Sequence, residues 1–410
     1  MNGLRLTGLL GAAVVLGLAR LAWAVGLGGA WLYGALALVA AGVAALAVAR
    51  LPRRTPLTLA GGLLVPAGAG LGYLEPWLVL LSPLGALLAF AGAQGQLSER
   101  EQASFWGWLL VWPAVGLLLV WQVLPAFYAL WLSFLDRFNF IGNSRFVGLL
   151  NYEILLTRDP LFWKAMSNTF WFVAFTVPAG IGLATLTAIL LNEKVKLQGL
   201  FRTLYFLPYI TALTAAAAVW DWIYNPEFGF LNWLLGTPGF QWLSTPEGIF
   251  ARLLAPLGVK LSGFWAGPSV AFVAVMVMSV WHFLGYQVVV LLAGLQNIPK
   301  EYYEAAELDG ASWWQKVRFI TWPLLSPTTF FLFTLSLIGA FQVFTQVLIL
   351  TPTGGVLQDT LTIALYLYNK GFRDSNFSYA SALAVVVFVV ILVLTLVQRR
   401  VLERRVTYEA

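Results

Sequence analysis

The chain has 410 residues, of which 60% are hydrophobic and only 10% charged, with a formal charge of +6. Soluble chains carry about 25% charged residues, so an ordinary soluble globular protein is excluded. With no cysteine and one histidine, disulfide scaffolds, thiolate metal sites and multi-histidine metal sites are excluded too.

The N-terminal stretch MNGLRLTGLLGAAVVLGLAR has the look of a secretory signal. Its apolar part runs past any cleavage point and further apolar blocks follow, so it reads as an uncleaved first helix. About 20 apolar residues are needed to cross the hydrocarbon layer as a helix. Ten blocks qualify: 6–27, 29–49, 57–73, 76–94, 108–133, 168–191, 203–223, 270–296, 327–350 and 380–398. The third is short and glycine-rich. Helices are expected because backbone groups in lipid must be satisfied within the segment. The expectation is an all-α polytopic membrane protein, and the nineteen tryptophans fit interfacial belts.

Basic residues set the orientation. With the N-terminus in the cytoplasm, 15 of the 24 lysines and arginines fall in cytoplasmic segments. They are Arg5; Arg50, Arg53 and Arg54; Arg100; Lys194, Lys196 and Arg202; Lys300, Lys316 and Arg318; and Arg399, Arg400, Arg404 and Arg405. These segments are also the shorter ones. Both termini then come out cytoplasmic, as an even number of spans requires.

The chain divides near Ser98-Glu99-Arg100-Glu101. Residues 1–97 hold four Ala/Gly/Leu-rich spans, an N-terminal packing module. Residues 98–410 hold six spans with Pro, Gln, Asn, Thr and aromatic residues. Three external loops, 134–167, 224–269 and 351–379, exceed the roughly 15 residues above which a loop usually has a role. They lie on the membrane surface, meet a partner, or simply connect.

Several chemistries are missing. There is no G-x-x-x-x-G-K-[ST] phosphate loop, no HExxH and no nucleophile elbow. None of the eighteen acidic residues falls mid-span, which argues against a proton relay and leaves sodium coordination by carbonyls open. His282 reads either as a hydrogen-bonded core residue or as a pathway residue.

The most informative stretch is 296–327, QNIPKEYYEAAELDGASWWQKVRFITWPLLSP. Pro299 suits a helix start, and Glu301 and Glu304 follow where carboxylates favour the positive end. Asp309-Gly310 is a turn signal, Ser312 is placed to cap a second helix, and Pro323 and Pro327 punctuate the return. This reads as a helix–turn–helix knob. Ala305 and Ala306 permit close approach of another protein, and Glu304 offers a carboxylate.

The spacing E-A-A, three residues, G, nine residues, I-x-x-P occurs as Glu304-Ala305-Ala306, Gly310, Ile320 and Pro323. It resembles the EAA loop, here 297–327, of binding-protein-dependent ABC importer permeases. The flanking IPKEYYEAAELDGAS is similar to the sugar-uptake branch, which includes the maltose and glycerol-phosphate importers. Trp322 stands where the family usually has Leu. The segments 146–172, 201–210 and 378–388 resemble other parts of the same family, so the likeness covers about 105–405. Gly354-Gly355 match a family L-T-x-G-G-P segment whose proline is missing here, and 247–268 looks like an insertion.

The apolar blocks give about ten transmembrane helices; the first hundred residues match no known family, and the resemblance implies a six-helix type I importer core for the rest. It implies a second homologous permease, two cytoplasmic ABC ATPase subunits docked on Glu304, Ala305, Ala306, Asp309, Gly310, Ile320 and Pro323, and an extracytoplasmic solute-binding protein. This chain would bind no cofactor and carry no ATPase site, ATP and Mg being used by the ATPase. The solute would be a sugar, oligosaccharide, polyol or glycerol phosphate, and the location a bacterial or archaeal inner membrane. Substrate contacts are expected on the helices flanking the loop. His282 and Tyr286 are four apart on one face. Ser336, Gly339, Ala340 and Val343 share another face, with Gln342 and Gln346 beside them. Tyr286 and Ser336 match positions where maltose-type relatives contact sugar. Polar residues gluing helices together is the other reading. Two rivals stand: a secondary ion-coupled transporter, and a membrane enzyme using the Glu301, Glu304, Glu307 and Asp309 cluster.

Overall fold

The computed structural model describes residues 118–137, 144–192 and 198–402, with five isolated positions before them. The spans expected at 6–27, 29–49, 57–73 and 76–94, the boundary near 98 and most of 108–117 lie outside the described residues. The chain forms two compact units, Met1–Trp131 and Leu132–Ala410. In the first, a π-helical turn at Leu119–Val123 leads into α1, Leu124–Leu132.

The second unit is helical. Its main elements are α2 Pro160–Asn192, α3 Gln198–Ile210, α4 Leu213–Ile223, α5 Val270–Gln296, α6 Lys300–Leu308, α7 Trp313–Lys316, α8 Ser326–Phe341, α9 Thr345–Leu350, α10 Ile363–Tyr368 and α11 Phe377–Leu402. No strand occurs among the described residues; two isolated β-bridges do. Among the described residues, four helical stretches are long and apolar enough to span a membrane, five if the bent α3–α4 pair is one span.

The core is the contact of α2 with α5. The buried side of α2 repeats at helical spacing through Phe162, Ala165, Thr169, Phe172, Thr176, Gly180, Ala184, Ala188 and Leu191. Small residues on this stripe let the helices approach, which matters where lipid supplies no hydrophobic drive. Thr169, Thr176 and Thr185 donate to the carbonyls of Ala165, Phe172 and Ile181, so each buried hydroxyl is satisfied within the helix. Pro178 sits inside α2 on an exposed face and removes one donor from its ladder. α5 is capped by Ser269, whose hydroxyl accepts from the Phe272 N–H at 3.0 Å. Gly285 of α5 lies so close to α3 that a Cβ there would stand 2.1 Å from the Tyr205 carbonyl oxygen.

Two spans that read as continuous are broken. The 203–223 block is two helices meeting at 99° across Thr211-Ala212. Pro208 removes a ladder bond just before the break, and the Thr211 hydroxyl and N–H both donate to the Leu207 carbonyl. The 327–350 block is interrupted at Gln342–Phe344, between α8 and α9. The 270–296 block is helical throughout, and α2 and α11 run longer than their apolar blocks.

At the end of the bundle away from α6, Asp159 joins three elements. Its Oδ1 accepts the Leu161 and Phe162 N–H groups, starting α2. Its Oδ2 accepts the hydroxyls of Tyr366 on α10 and Tyr379 on α11. Burial, and then the carboxylate, pushes the Tyr366 hydroxyl far up, so it remains a donor. The loop before α10 is stitched down as well. Asn168 donates to the Gln358 and Leu361 carbonyls, and the Ile363 N–H donates to Thr169. These bonds hold Leu357 and Gln358 at positive φ, 57° and 61°, a conformation that costs non-glycine residues of order 1–3 kcal/mol.

Asp359 in the same loop is buried, and neither carboxylate oxygen makes a hydrogen bond of normal geometry. Burial pushes its carboxyl above the usual range, outweighing the opposing Ser269 hydroxyl and Lys164 charge. A carboxyl raised in this way costs nothing while protonated in both folded and unfolded chains. Its cost grows as pH rises through the raised value. Asp359→Asn is therefore expected to raise the melting temperature of the detergent-solubilised protein at about pH 7 by roughly 3–6 °C. The gain should shrink to nothing near pH 4, where the ordinary value of about 3.8 lies. Melting curves of both proteins across that range check it.

Candidate functional site

The two helix breaks border one cavity. It has a volume of about 390 Å³, within the range of small-ligand sites. α2 contributes Phe172, Thr176, Val177 and Gly180, and Tyr209 and Leu213 flank the α3–α4 break. α5 contributes Ser279, Val280, Phe283, Tyr286 and Gln287, and α8–α9 contribute Leu335, Ser336, Gly339, Ala340 and Gln342 to Gln346. These positions lie near the middles of α2 and α5. No lining residue is ionisable apart from the two tyrosines. The polar groups are hydroxyls and side-chain amides, set among five aromatic rings.

Hydrogen bonds fix part of the lining. Gln287 Nε2 donates to Ser336 Oγ at 3.1 Å, and Gln346 Nε2 donates to Ser279 Oγ at 3.2 Å. Gln287 Oε1 is buried without a hydrogen-bond partner. Tyr209 and Tyr286 stack at 5.1 Å between ring centroids. At the second break, the Val343 carbonyl accepts the Thr362 hydroxyl at 3.0 Å. A backbone acceptor released from its helix thus finds a partner inside the protein.

Of the eight pathway residues expected from sequence, seven share this cavity: Tyr286, Ser336, Gly339, Ala340, Gln342, Val343 and Gln346. His282 does not line it. The cavity stripe of α5 runs through 279, 280, 283, 286 and 287, and at about 100° per residue position 282 falls just past its edge. His282 packs instead against Phe283 and Tyr209, buried, with Nδ1 unpartnered. The helix break carries Gln342 and Gln346 onto the same wall as Ser336, merging what read as two stripes. Ser279, Gln287, Thr176 and Tyr209 were missed. The polar pair Ser279 and Gln287, flanking Tyr286 at helical spacing, was the available signal.

A second cavity, of about 620 Å³, opens at the far ends of α4 and α9. It is lined by Asp221, Tyr224, Gln241, Trp242, Thr351 and Thr353 among others. The packed pair α4–α9 therefore separates it from the first.

The 297–325 segment forms the expected knob at the opposite end. α6 runs to Leu308, and Gly310 turns the chain at φ +73°. The Ala311 N–H returns to the Ala306 carbonyl at 2.9 Å, closing the helix end. Ser312 and Gln315 make a reciprocal capping box that starts α7. Lys316 bridges to Glu307 at 2.7 Å, and the Tyr303 and Thr321 hydroxyls meet at 3.0 Å, so the two arms are clamped. Glu304, Ala305, Asp309 and Gly310 are exposed, while Ala306, Ile320 and Pro323 are half-buried. Leu308 at the tip is 91% exposed. Among the described residues, no cluster of acidic or histidine side chains could hold a metal ion.

Residues 160–408 match the family model described as binding-protein-dependent transport system inner membrane component. The lactose transport system permease protein LacF of Rhizobium radiobacter is 34% identical over 71% of this chain and 92% of its own. The trehalose/maltose transport system permease protein MalF of Thermococcus litoralis is 31% identical over 72% of this chain and 92% of its own. A solved bacterial alginate ABC transporter, in complex with its alginate pentasaccharide-bound periplasmic protein, contains a chain of like fold. The TM-score is 0.61 at 21% identity, covering 77% of this chain and all of that one.

The chain lacks cysteine, so single-cysteine labelling maps the cavity directly. Gln342→Cys is expected to react with a small charged methanethiosulfonate at least tenfold faster than His282→Cys. Mass spectrometry of the labelled protein in nanodiscs measures both rates.

Proposed function

Because the chain belongs to the family of inner membrane components of binding-protein-dependent transport systems, we propose that it moves a neutral sugar or sugar-like solute. As a permease of this family it is a multi-pass helical membrane protein. The observation that carries the substrate reading is the uncharged cavity, with its hydroxyls, amides and stacked aromatics. Aromatic faces suit the apolar faces of a sugar ring, and hydroxyls and amides suit its hydroxyls. A cationic side chain favours a phosphate-bearing solute, and none lines this cavity. Relatives named for lactose and for trehalose/maltose transport support the same class.

The knob is the second element. Its two arms continue from α5 and into α8, which carry Ser279, Tyr286, Gln287 and Ser336 of the cavity's polar lining. It faces the cytoplasm and seats Glu304, Ala305, Ala306 and Leu308 in a separate ABC ATPase subunit, which binds ATP and Mg and does the hydrolysis. Two such subunits serve this chain and a second homologous permease. A binding protein delivers solute on the other face, beside the 620 Å³ cavity. Both termini are cytoplasmic, in a bacterial or archaeal inner membrane. The importer core is the 98–410 part of the chain. ATPase closure moves the knob, and α5 and α8 carry that movement to the cavity.

The broken spans are what an ion-coupled carrier would also show. The family match speaks for the importer instead, and the cavity supplies no acidic or basic side chain for a proton relay.

Two experiments test the reading. Purified from native membranes in mild detergent, the wild type should bring down a P-loop ATPase and a second permease. Leu308→Glu should keep the permease and lose at least nine-tenths of the ATPase. If the wild type carries no ATPase, the importer reading fails. In proteoliposomes with its partners, uptake of lactose, maltose or trehalose should exceed that of glycerol 3-phosphate. Gln287→Ala should slow it about tenfold, as loss of one or two hydrogen bonds to solute or wall implies.

A further inference from the structure

The segment that reads as an insertion, 247–268, is left without a role by the transport reading. It is a closed loop with a tied neck. Gly248 pairs with Ser269, the Ile249 N–H donates to the Pro268 carbonyl at 2.9 Å, and the Val270 N–H donates to Glu247 at 3.0 Å. The neck therefore sits on the residue that caps α5. The loop is also fixed laterally. Phe264 stacks on Trp171 of α2 at 4.9 Å, and Phe250 meets the same ring edge-on at 5.5 Å.

That contact sets the depth of the loop. Upstream of Phe170, α2 carries Lys164, Ser167 and Asn168; from Phe170 to Leu191 it is apolar enough to fill the hydrocarbon layer. Trp171 thus marks the membrane–water boundary on the face opposite the knob, where tryptophan is favoured. Phe250 and Phe264 hold the loop at that level. Its apolar side chains still point outward: Leu253 is 64% exposed, Leu257 75% and Trp265 73%. Phe170, the residue before Trp171, is exposed too and meets Phe264 at 6.1 Å, so the exposed apolar face of α2 adjoins the loop. Arg252 lies over the Phe240 ring at 4.9 Å and near Glu247 at 3.7 Å, which partly screens its charge.

We propose that the 248–267 loop is an interfacial anchor. It lies in the headgroup–acyl boundary of the bilayer and inserts Leu253, Leu257 and Trp265 into the outer edge of the hydrocarbon. Lys260, exposed on the same loop, reaches back to the headgroups. The occupant of this apolar surface is lipid, not another protein chain. The anchor holds the capped end of α5 at constant depth while its other end follows the knob.

The absence of native cysteine permits a direct test on the full chain in lipid nanodiscs. Leu257→Cys and, separately, Leu253→Cys are labelled with the fluorophore NBD. Phosphatidylcholine carrying a nitroxide at acyl carbon 5 is expected to quench each label at least twofold. A nitroxide at carbon 12 should quench less, and aqueous iodide should have little effect. If the lipid nitroxides leave both labels unchanged, the proposal is wrong. Iodide quenching would then mean a loop standing in water, and protection from iodide as well would mean a surface covered by protein.

Discussion

In a hydrocarbon layer, a backbone N–H or C=O that leaves its helix must find another partner inside the protein or in enclosed water. Much of this structure follows from how that constraint is met at two places. The 203–223 and 327–350 blocks both lose helical continuity, and both breaks border the same cavity. At one break, Thr211 turns its hydroxyl back to the Leu207 carbonyl. At the other, Thr362 reaches in from the distal loop to bond the Val343 carbonyl. Irregular backbone at membrane depth occurs only where it is surrounded by protein or lines a space, and here it does both.

The distal loop can serve that carbonyl only because it is held in place. Asp159 binds the starts of α2, α10 and α11 together, and Asn168 and Thr169 pin the residues between Gln358 and Ile363. The strain at Leu357 and Gln358 is tolerated for the same reason. The hydrogen bonds at one end of the bundle therefore maintain the shape of a cavity near its middle.

α5 links the parts. It starts at the Ser269 cap, forms one wall of the cavity and ends at Gln296, where the knob segment begins. α8 leaves the knob and forms the adjoining wall. Near the knob the two helices meet closely, since a Cβ on Gly294 would stand 2.6 Å from the Thr328 hydroxyl. The clamped helix pair at one end is thus joined to the cavity by two helices, without any longer chain of contacts.

What the sequence determined by itself was what depends on near neighbours. Apolar block length marked the spans, and 270–296 matched its helix end to end. Turn and cap chemistry within a few residues placed the knob, down to Gly310 at positive φ and Ser312 as a cap. The E-A-A spacing named the family through residues 304–323. Helical spacing grouped residues that share one space: seven of the eight named from it line the cavity, and His282 lies just past the cavity's edge on α5. The tertiary structure alone decided the rest. Hydropathy does not register whether a span is continuous, so the breaks at Thr211 and at Gln342–Phe344 were invisible, the second having neither proline nor glycine to announce it. Asp159 with Tyr366 and Tyr379, and Trp171 with Phe250 and Phe264, join residues about 80 to 220 positions apart. No local pattern encodes such pairs, because only the packed fold brings them within reach.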